Sequence, residues 1–208
     1  MKDAPHVVGR DWGAPTALAL ALHWKRARTL TYIDNLVPGF GLEEAIAPIP
    51  PREGEDPFFQ GGGVNHFTFH LMPDVAEFLI AGREQVYFDW FLRRLAYNVG
   101  AIDRETVDEC VRCMAQPGAL RATLGWSRAM WQDGRDNRQA VAAARLAIPV
   151  LALGGAQSVG ARTAESLRRM ADNVEGDVIP YCGHWASEEQ PEWIAERLLR
   201  FLQPHGRT

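Results

Sequence analysis

One apolar run, Ile148–Gly154 (IPVLALG), constrains the fold more than any other segment, because a strand with no polar face must be covered on both sides. A helical pattern (ARTAESLRRMADN) follows this run, and then come a second strand pattern at 176–180 and a final amphipathic helix (PEWIAERLLRFL). Near the N-terminus, His6–Gly9 and Thr29–Ile33 also predict strands, and they flank the Ala- and Leu-rich helical segment Gly13–Ala27. Strands that alternate with helices predict a parallel α/β sheet.

The middle of the chain has a different pattern. Eleven of the 29 residues from Asn35 to Gly63 are Pro or Gly, which predicts a loop or hinge. From Pro73 to Arg145 the pattern is helical, and Gly and Pro separate the pieces. The last two pieces, GALRATLGWSRAMWQ and NRQAVAAARLA, are predicted to break at Gly134. We therefore predict three parts: a first part of the core at 1–36, a linker and helical lid at 37–147, and the rest of the core at 148–208.

Charge and cysteine content exclude several classes of function. The net charge of −4 offers no basic surface, so neither nucleic acid nor an acidic membrane is expected as a partner. No stretch approaches the ~20 apolar residues of a membrane span, and no signal peptide is evident, so we expect a cytoplasmic protein. Cys110 and Cys113 form a C-x-x-C within a helical pattern, which favours buried helix cysteines over a metal or redox site. No metal or other cofactor is expected.

Gly9-Arg10-Asp11-Trp12-Gly13 has the spacing of the G-x-S-x-G nucleophile elbow, with Asp in place of Ser. In such a turn the glycines permit a strained backbone and close packing against strand and helix. The turn lifts the Asp11 side chain clear of the sheet and directs the N–H of Trp12 at the reaction centre. An Asp at this place also suits the N-cap of the following helix, and the pentapeptide alone leaves both interpretations open.

Two more residues fall where a parallel sheet holds its ligands. His184, in Cys182-Gly183-His184-Trp185, lies in the loop after the last predicted strand and is a candidate general base. Asp34 ends the strand pattern TLTYI and could orient the His184 imidazole and stabilise its charged form. A turn-forming Asp is the alternative for Asp34.

At this point the sequence resembles the α/β-hydrolase-fold epoxide hydrolases and their dehalogenase relatives. The matching segments span nearly the whole chain in the family's order: GRDWGAPTALALAL, LTYIDNLVPG, NHFTFHLMPDVAEFL, GWSRAMW, IPVLALGG and IPYCGHWASEEQPEWIAERLLRFL. The resemblance implies an α/β-hydrolase fold, a parallel sheet flanked by helices with an inserted helical lid. It further implies that Asp11 is the nucleophile and His184 the base.

The position of the third catalytic residue, the acid that orients the histidine, differs between branches of the family. Many relatives carry it after the strand that matches Ile148–Leu153, where this chain has no carboxylate in Gly154–Ser158. The haloalkane and fluoroacetate dehalogenases place it after the strand that matches Thr29–Ile33, which assigns it to Asp34. The catalytic set expected from the resemblance is therefore Asp11, His184 and Asp34.

An aspartate nucleophile selects the chemistry. A carboxylate is already ionised at neutral pH, and it can attack an sp³ carbon that bears a strained oxygen or a halogen. The product is an ester on the nucleophile, which water activated by the histidine then hydrolyses. Ester and peptide hydrolysis are thereby less favoured than the opening of an uncharged epoxide, our first prediction, or haloalkane dehalogenation, the alternative.

The lid leaves the choice of leaving group open. By the resemblance, Ser127 stands where relatives often carry a tyrosine that protonates the epoxide oxygen, and His66 matches the other donor position. Trp12 suits either reaction. Tyr87 and Tyr97 are further candidate donors, although aromatics at helical spacing are more often part of a core.

The substrate pocket follows from the same resemblance. We expect Phe67, Trp126 and Trp185 to line it. Because Trp12 and Pro15 stand where the fluoroacetate branch has arginines, a small anionic haloacid is not expected.

Relative to the family, this sequence begins at the nucleophile strand and lacks the N-terminal strands and the loop that supplies the second oxyanion N–H. Arg10 also replaces the histidine usual in epoxide hydrolases. Two expectations follow: His6–Gly9 becomes a sheet edge, and the loss of one oxyanion donor costs on the order of 10²–10³ in rate. An inactive fragment, or a half-domain completed by another chain as in a homodimer through that edge, is the alternative.

Overall fold

The computed structural model describes residues 4–46 and 65–206. Four parallel strands form a single sheet in the order β1-β2-β3-β4: β1 (His6–Arg10), β2 (Thr29–Ile33), β3 (Val150–Gly155) and β4 (Val174–Ile179). The helices are α1 (Gly13–Leu22), α2 (Leu42–Ile46), α3 (Asn65–Leu71), α4 (Val75–Ile80), α5 (Glu84–Arg94), α6 (Arg104–Met114), α7 (Ala119–Ala143), α8 (Arg162–Arg168), α9 (Ala186–Glu189) and α10 (Pro191–Leu202). The predicted parallel α/β architecture is confirmed.

The two faces of the sheet are covered by different helices, which explains the apolar run in β3. Val150 and Ala152 pack with α1 and α8, whereas Leu151 and Leu153 pack with α10 on the opposite face. All four side chains are fully buried. The alternation of direction along a strand therefore leaves no position in this one for a polar residue.

Strand β1 pairs with β2 and has no second neighbour among the described strands, as expected for a sheet edge. Val7 packs into the cluster around α1, but Val8 points to the other face and keeps 48% of its surface exposed. One face of the nucleophile strand is therefore open to solvent.

Helices α2 to α7 lie between β2 and β3 in the chain. Helices α4 to α7 supply most of two apolar clusters, which also include Phe69 of α3 and Trp185 from the loop after β4. The predicted break at Gly134 is wrong, since α7 runs through it as one helix of 25 residues. A Cβ at Gly134 would overlap the carboxylate of Glu43 and crowd the backbone of Gly39, so this glycine allows a close approach and does not end the helix. Within the predicted 35–63 loop, residues 42–46 are helical and residues 47–63 lie outside the described ranges.

The described ranges contain no helix long and apolar enough to cross a membrane. They also contain no group of three or more His, Cys, Asp or Glu side chains arranged to hold a metal ion. The C-x-x-C pair lies on α6. Cys110 is half-buried against the apolar cluster formed by α4, α5 and α7, and Cys113 is exposed. The expectation that both cysteines are buried is therefore wrong for Cys113.

Candidate active site

The turn between β1 and α1 has the backbone of an elbow. Asp11 adopts a left-handed conformation with φ of +49°, which costs energy for a residue with a side chain. Its N–H donates to the carbonyl of Ile33 at 3.0 Å, and its own carbonyl accepts from the N–H of Ala14 at 2.9 Å. A Cβ on Gly9 would overlap the carbonyl of Gly13, whereas a Cβ on Gly13 would meet nothing within 4 Å. The expected close packing thus holds for the first glycine and not for the second.

The capping interpretation of Asp11 is wrong. Trp12 occupies the N-cap position of α1, and its side chain makes no capping hydrogen bond. The carboxylate of Asp11 instead faces His184, with 3.6 Å between Oδ2 and Nε2.

Asp34 holds the other ring nitrogen of His184, at 2.6 Å between Oδ2 and Nδ1. The same Oδ2 accepts from the hydroxyl of Ser158 at 2.7 Å, and Oδ1 accepts from the N–H of Gly155 at 2.7 Å. The carboxylate is fully buried, and these bonds run to other segments of the chain, which disfavours a purely local turn role. The last residue of β3 and the loop after it, where this chain lacks a carboxylate, thus supply one donor each to Asp34.

All of these groups lie at the carboxyl ends of the four parallel strands. Asp11 follows β1, Asp34 follows β2, Ser158 lies in the loop after β3, and His184 lies in the loop after β4. The carboxyl ends of parallel strands bring such loops together, which is why alternation along the sequence could predict this assembly.

Sequence reasoning missed the residue that anchors the histidine loop. Glu189 is 7% exposed, and its carboxylate accepts from four backbone N–H groups. The N–H groups of Tyr97 and Asn98 lie at 2.8 Å, and those of Gly183 and Trp185 at 3.1 Å. One buried charge therefore ties the loop of the candidate base to the lid segment after α5. No sequence pattern around Glu189, which lies five residues after His184, could have predicted this role.

The charges of the site are coupled. Burial alone would lower the pKa of His184, but the carboxylates of Asp11 and Asp34 outweigh it and raise this pKa to about 9. Burial would raise the pKa of Asp11, yet the charges of His184, Arg10 and His66 hold it below its ordinary value. At neutral pH the resting site is therefore an imidazolium between two carboxylates.

Arg10 supports this arrangement from the strand side. Its guanidinium lies over the ring of Trp185, 4.8 Å from the centroid, and donates to the carbonyl of His184 at 3.3 Å. Arg10, which stands where epoxide hydrolases usually carry a histidine, thus contacts the backbone carbonyl of the candidate base.

A cavity of about 270 Å³ opens above Asp11, Asp34 and His184. Of the residues predicted to contact substrate, Trp12, His66, Phe67 and Ser127 line it. Further apolar lining comes from Leu36, Leu42, Ala45, Ile46, Phe88, Phe91, Leu95, Leu124 and Val159.

Two residues expected in the pocket lie elsewhere. Trp126 is 42% exposed and is not part of the cavity wall, because it projects from the outer face of α7. Trp185 is buried behind the wall, where its indole Nε1 donates to the carbonyl of Leu92 at 2.5 Å. Of the two further tyrosine candidates, Tyr97 is half-exposed outside the cavity, whereas Tyr87 lines it.

Tyr87 has a partner that sequence reasoning missed. Its hydroxyl lies 2.6 Å from Nε2 of His70, and both side chains line the cavity. Burial, assisted by Arg128, lowers the pKa of His70 to about 4, and burial raises the pKa of Tyr87. Since His70 follows His66 by four residues, the helical spacing that puts both on one face was a signal that could have found it.

No protein-family model matches the chain. A soluble epoxide hydrolase from Corynebacterium sp. (strain C12) is 30% identical over 205 residues, which cover 97% of this chain and 68% of that protein. The chain belongs to the epoxide hydrolase family of α/β hydrolases. The fold and the family resemblance inferred from the sequence are thereby confirmed.

Solved structures agree with this membership. The crystal structure of Cfl2 from Burkholderia cenocepacia superposes with a TM-score of 0.83 at 35% identity, covering 95% of this chain and 65% of that one. The epoxide hydrolase CorEH superposes with a TM-score of 0.77 at 28% identity, covering 95% of this chain and 67% of that one. The chain thus spans about two thirds of the length of each of these three proteins.

Proposed function

We propose that this chain hydrolyses small uncharged epoxides through an ester on Asp11. The observation that carries the proposal is the Asp11 carboxylate, held on a strained elbow in the cavity floor with its oxygen 3.6 Å from Nε2 of His184. Its lowered pKa keeps it ionised and ready to attack a ring carbon. The C–O bond of the epoxide breaks as the ester forms, and the electron pair passes to the ring oxygen.

Ester formation prepares the second step by removing a charge. The carboxylate of Asp11 contributes most to raising the pKa of His184, and an ester at Asp11 is neutral. The pKa of the imidazole then falls, so that Nε2 can take a proton from a water that attacks the ester carbonyl. Asp34, bonded to Nδ1, stabilises the imidazolium that results. The N–H of Trp12 is the proposed donor to the oxyanion of this step.

The ring oxygen needs a proton donor from the lid. His66 and Ser127 line the cavity at the proposed leaving-group positions, and Phe67 lies against Trp12 with 5.7 Å between ring centroids. Arg94 and Arg162 also line the cavity, but most of its exposed wall is apolar, which suits an uncharged substrate. The names of the soluble epoxide hydrolase and CorEH favour the epoxide over the haloalkane. Haloalkane dehalogenation by the same nucleophile is the alternative.

Intact-protein mass spectrometry with an aryl epoxide tests the reaction. A His184→Gln variant should accumulate an adduct whose mass equals that of the epoxide, because the base of the second step is missing. The adduct should be lost when Asp11→Asn is added. A folded chain that forms no adduct with either epoxide or haloalkane would contradict the proposal and favour a non-catalytic fragment.

We further propose the domain division predicted from the sequence, in which residues 37–147 form a lid over a core of residues 1–36 and 148–208.

We also propose that two copies of the chain pair through β1. The open edge of the sheet at β1, with Val8 exposed, supports this pairing. Sedimentation equilibrium should then show a dimer that Val8→Lys weakens, and a monomer at all concentrations would overturn this proposal.

We also propose a cytoplasmic location. It is supported by three cysteines that remain free thiols, Cys110, Cys113 and Cys182. Fractionation of the source cells should recover the protein with the cytoplasmic enzymes, and recovery from an oxidising compartment would contradict it.

A further inference from the structure

Ring opening of an epoxide leaves a charge on oxygen, and the hydroxyl at the expected donor position is a weak acid. Ser127 is an aliphatic alcohol, 1% exposed on α7. A phenol, with an ordinary pKa near 10, is a stronger acid than an aliphatic alcohol and a better donor to a developing alkoxide. Burial raises the pKa of Tyr87, but burial disfavours the charged form of an alcohol as well, so the phenol remains the stronger acid of the two. Tyr87 lines the same cavity from α5.

The phenol of Tyr87 is held in place by aromatic contacts. Its ring stacks on Phe91 with 5.9 Å between centroids and 11° between planes, and it also contacts Phe69 at 6.1 Å. His70 fixes the other end through the 2.6 Å contact between Nε2 and the hydroxyl oxygen. A donor fixed in this way loses little conformational freedom in the transition state.

The His70 ring lies close to the proposed reaction centre. The charge of Asp11 acts on its pKa, and its ring centroid is 5.5 Å from that of His66. Burial keeps His70 neutral at pH 7, so one of its ring nitrogens carries a hydrogen. When Nε2 carries it, His70 donates to the phenolic oxygen of Tyr87 and leaves the phenolic hydrogen free to face the substrate.

We infer that Tyr87 is the proton donor to the epoxide oxygen and that His70 is its positioning residue, an inference that rests on the proposed function. As Asp11 attacks carbon, the ring C–O bond breaks and the oxygen takes the phenolic proton. The phenolate that forms accepts a hydrogen bond from Nε2 of His70. Hydrolysis of the ester restores the Asp11 carboxylate and releases one proton, which returns to the phenolate through solvent, so the net reaction is epoxide plus water giving a diol.

The test separates the two half-reactions with an aryl epoxide. In a His184→Gln background, the rate of adduct formation should fall about 10²-fold in Tyr87→Phe, the scale for removing one preorganised donor. With His184 intact, hydrolysis of the ester in Tyr87→Phe should proceed at the parent rate, because the phenol serves the first step alone. Tyr97→Phe, which removes an exposed phenol outside the cavity, is the matched control and should leave both rates unchanged.

A pair of His70 variants tests the positioning role. His70→Leu should slow adduct formation as Tyr87→Phe does, whereas His70→Gln, whose amide N–H can replace Nε2–H, should restore much of that rate. Circular dichroism and thermal unfolding identify any variant that fails to fold.

Two outcomes would overturn this inference and are distinct from failure of the proposed function. Adduct formation at the parent rate in Tyr87→Phe refutes the donor role. Equal rates in His70→Leu and His70→Gln refute the positioning role. Absence of any adduct in His184→Gln alone refutes the proposed function itself.

Discussion

Replacing Asp11 by Asn should lower the pKa of His184 by at least about one unit. The imidazole lies between two carboxylates, with Nδ1 2.6 Å from Asp34 and Nε2 3.6 Å from Asp11. Together they raise its pKa from 6.5 to about 9, which corresponds to about 3 kcal/mol in favour of the imidazolium. Because about a third of the Asp11 side chain is exposed, screening by water makes this an upper figure. Asn keeps the size of the side chain and removes its charge, so the contribution of Asp34 alone remains.

Nuclear magnetic resonance of ¹³C-labelled histidine gives the titration directly. The His184 signal should titrate near pH 9 in the parent chain and at a clearly lower pH in Asp11→Asn. Asp108→Asn, which removes an exposed carboxylate on the lid, is the control and should leave the signal unchanged. Identical titrations in the parent and Asp11→Asn would refute the reasoning, as would an ordinary pKa in the parent.

The same charges make folding stability depend on pH. The pKa of His184 is higher in the folded chain than in the unfolded chain, so the folded state binds more protons between pH 6.5 and 9. This contribution to the free energy of unfolding is fully present below pH 6.5 and is lost as the pH rises through 9. Urea unfolding at pH 6 and pH 10 should therefore show a smaller loss of stability in Asp11→Asn than in the parent.

Three further substitutions test the supports of the site. Gly9→Ala should lower the free energy of unfolding by at least about 2 kcal/mol, because its Cβ would overlap the carbonyl of Gly13 in the elbow. Gly13→Ala should leave that free energy unchanged or raise it by up to about 1 kcal/mol. Equal urea midpoints for the two variants would contradict this. Glu189→Gln should cost about 2 kcal/mol or more and slow ester hydrolysis more than ester formation, while the exposed neighbour change Glu188→Gln should do neither. Trp185→Phe should lower the melting temperature, because it removes the indole hydrogen bond, but it should leave KM unchanged. An altered KM would show that Trp185 contacts the substrate.

Local sequence patterns predicted the parts of the fold that depend on local chemistry. The apolar run at Ile148–Gly154 required two covered faces, and β3 has them. The strand-loop positions of Asp11, Asp34 and His184 followed from topology, because alternating strands and helices place these loops at one edge. The structure brings the three side chains together in the order expected of a nucleophile, a base and an orienting acid.

What the sequence could not predict depends on contacts between distant segments. Gly134 looked like a helix end, but its small size serves an approach to Gly39 across 95 residues of chain. The role of Glu189 had no sequence signal, because nothing local indicates which distant backbone groups a carboxylate accepts from. Trp126 and Trp185 were assigned to the pocket from the family resemblance, but the side chain of Trp126 is exposed and that of Trp185 bonds to the carbonyl of Leu92 behind the cavity wall.

The two half-reactions differ in what they require of the chain. Asp11 is positioned by contacts within the described residues, namely the pairing of β1 with β2 and the bond from its N–H to Ile33. Ester formation develops charge on the epoxide oxygen, which lid side chains can meet. Ester hydrolysis develops charge on the carbonyl oxygen of Asp11, where the N–H of Trp12 is the proposed donor, and each preorganised donor there is worth on the order of 10²–10³ in rate. A chain in which the N–H of Trp12 is the single donor to this oxygen should accumulate the Asp11 ester even with His184 intact, and rapid-quench mass spectrometry that finds steady turnover without this ester would show that a second donor acts there.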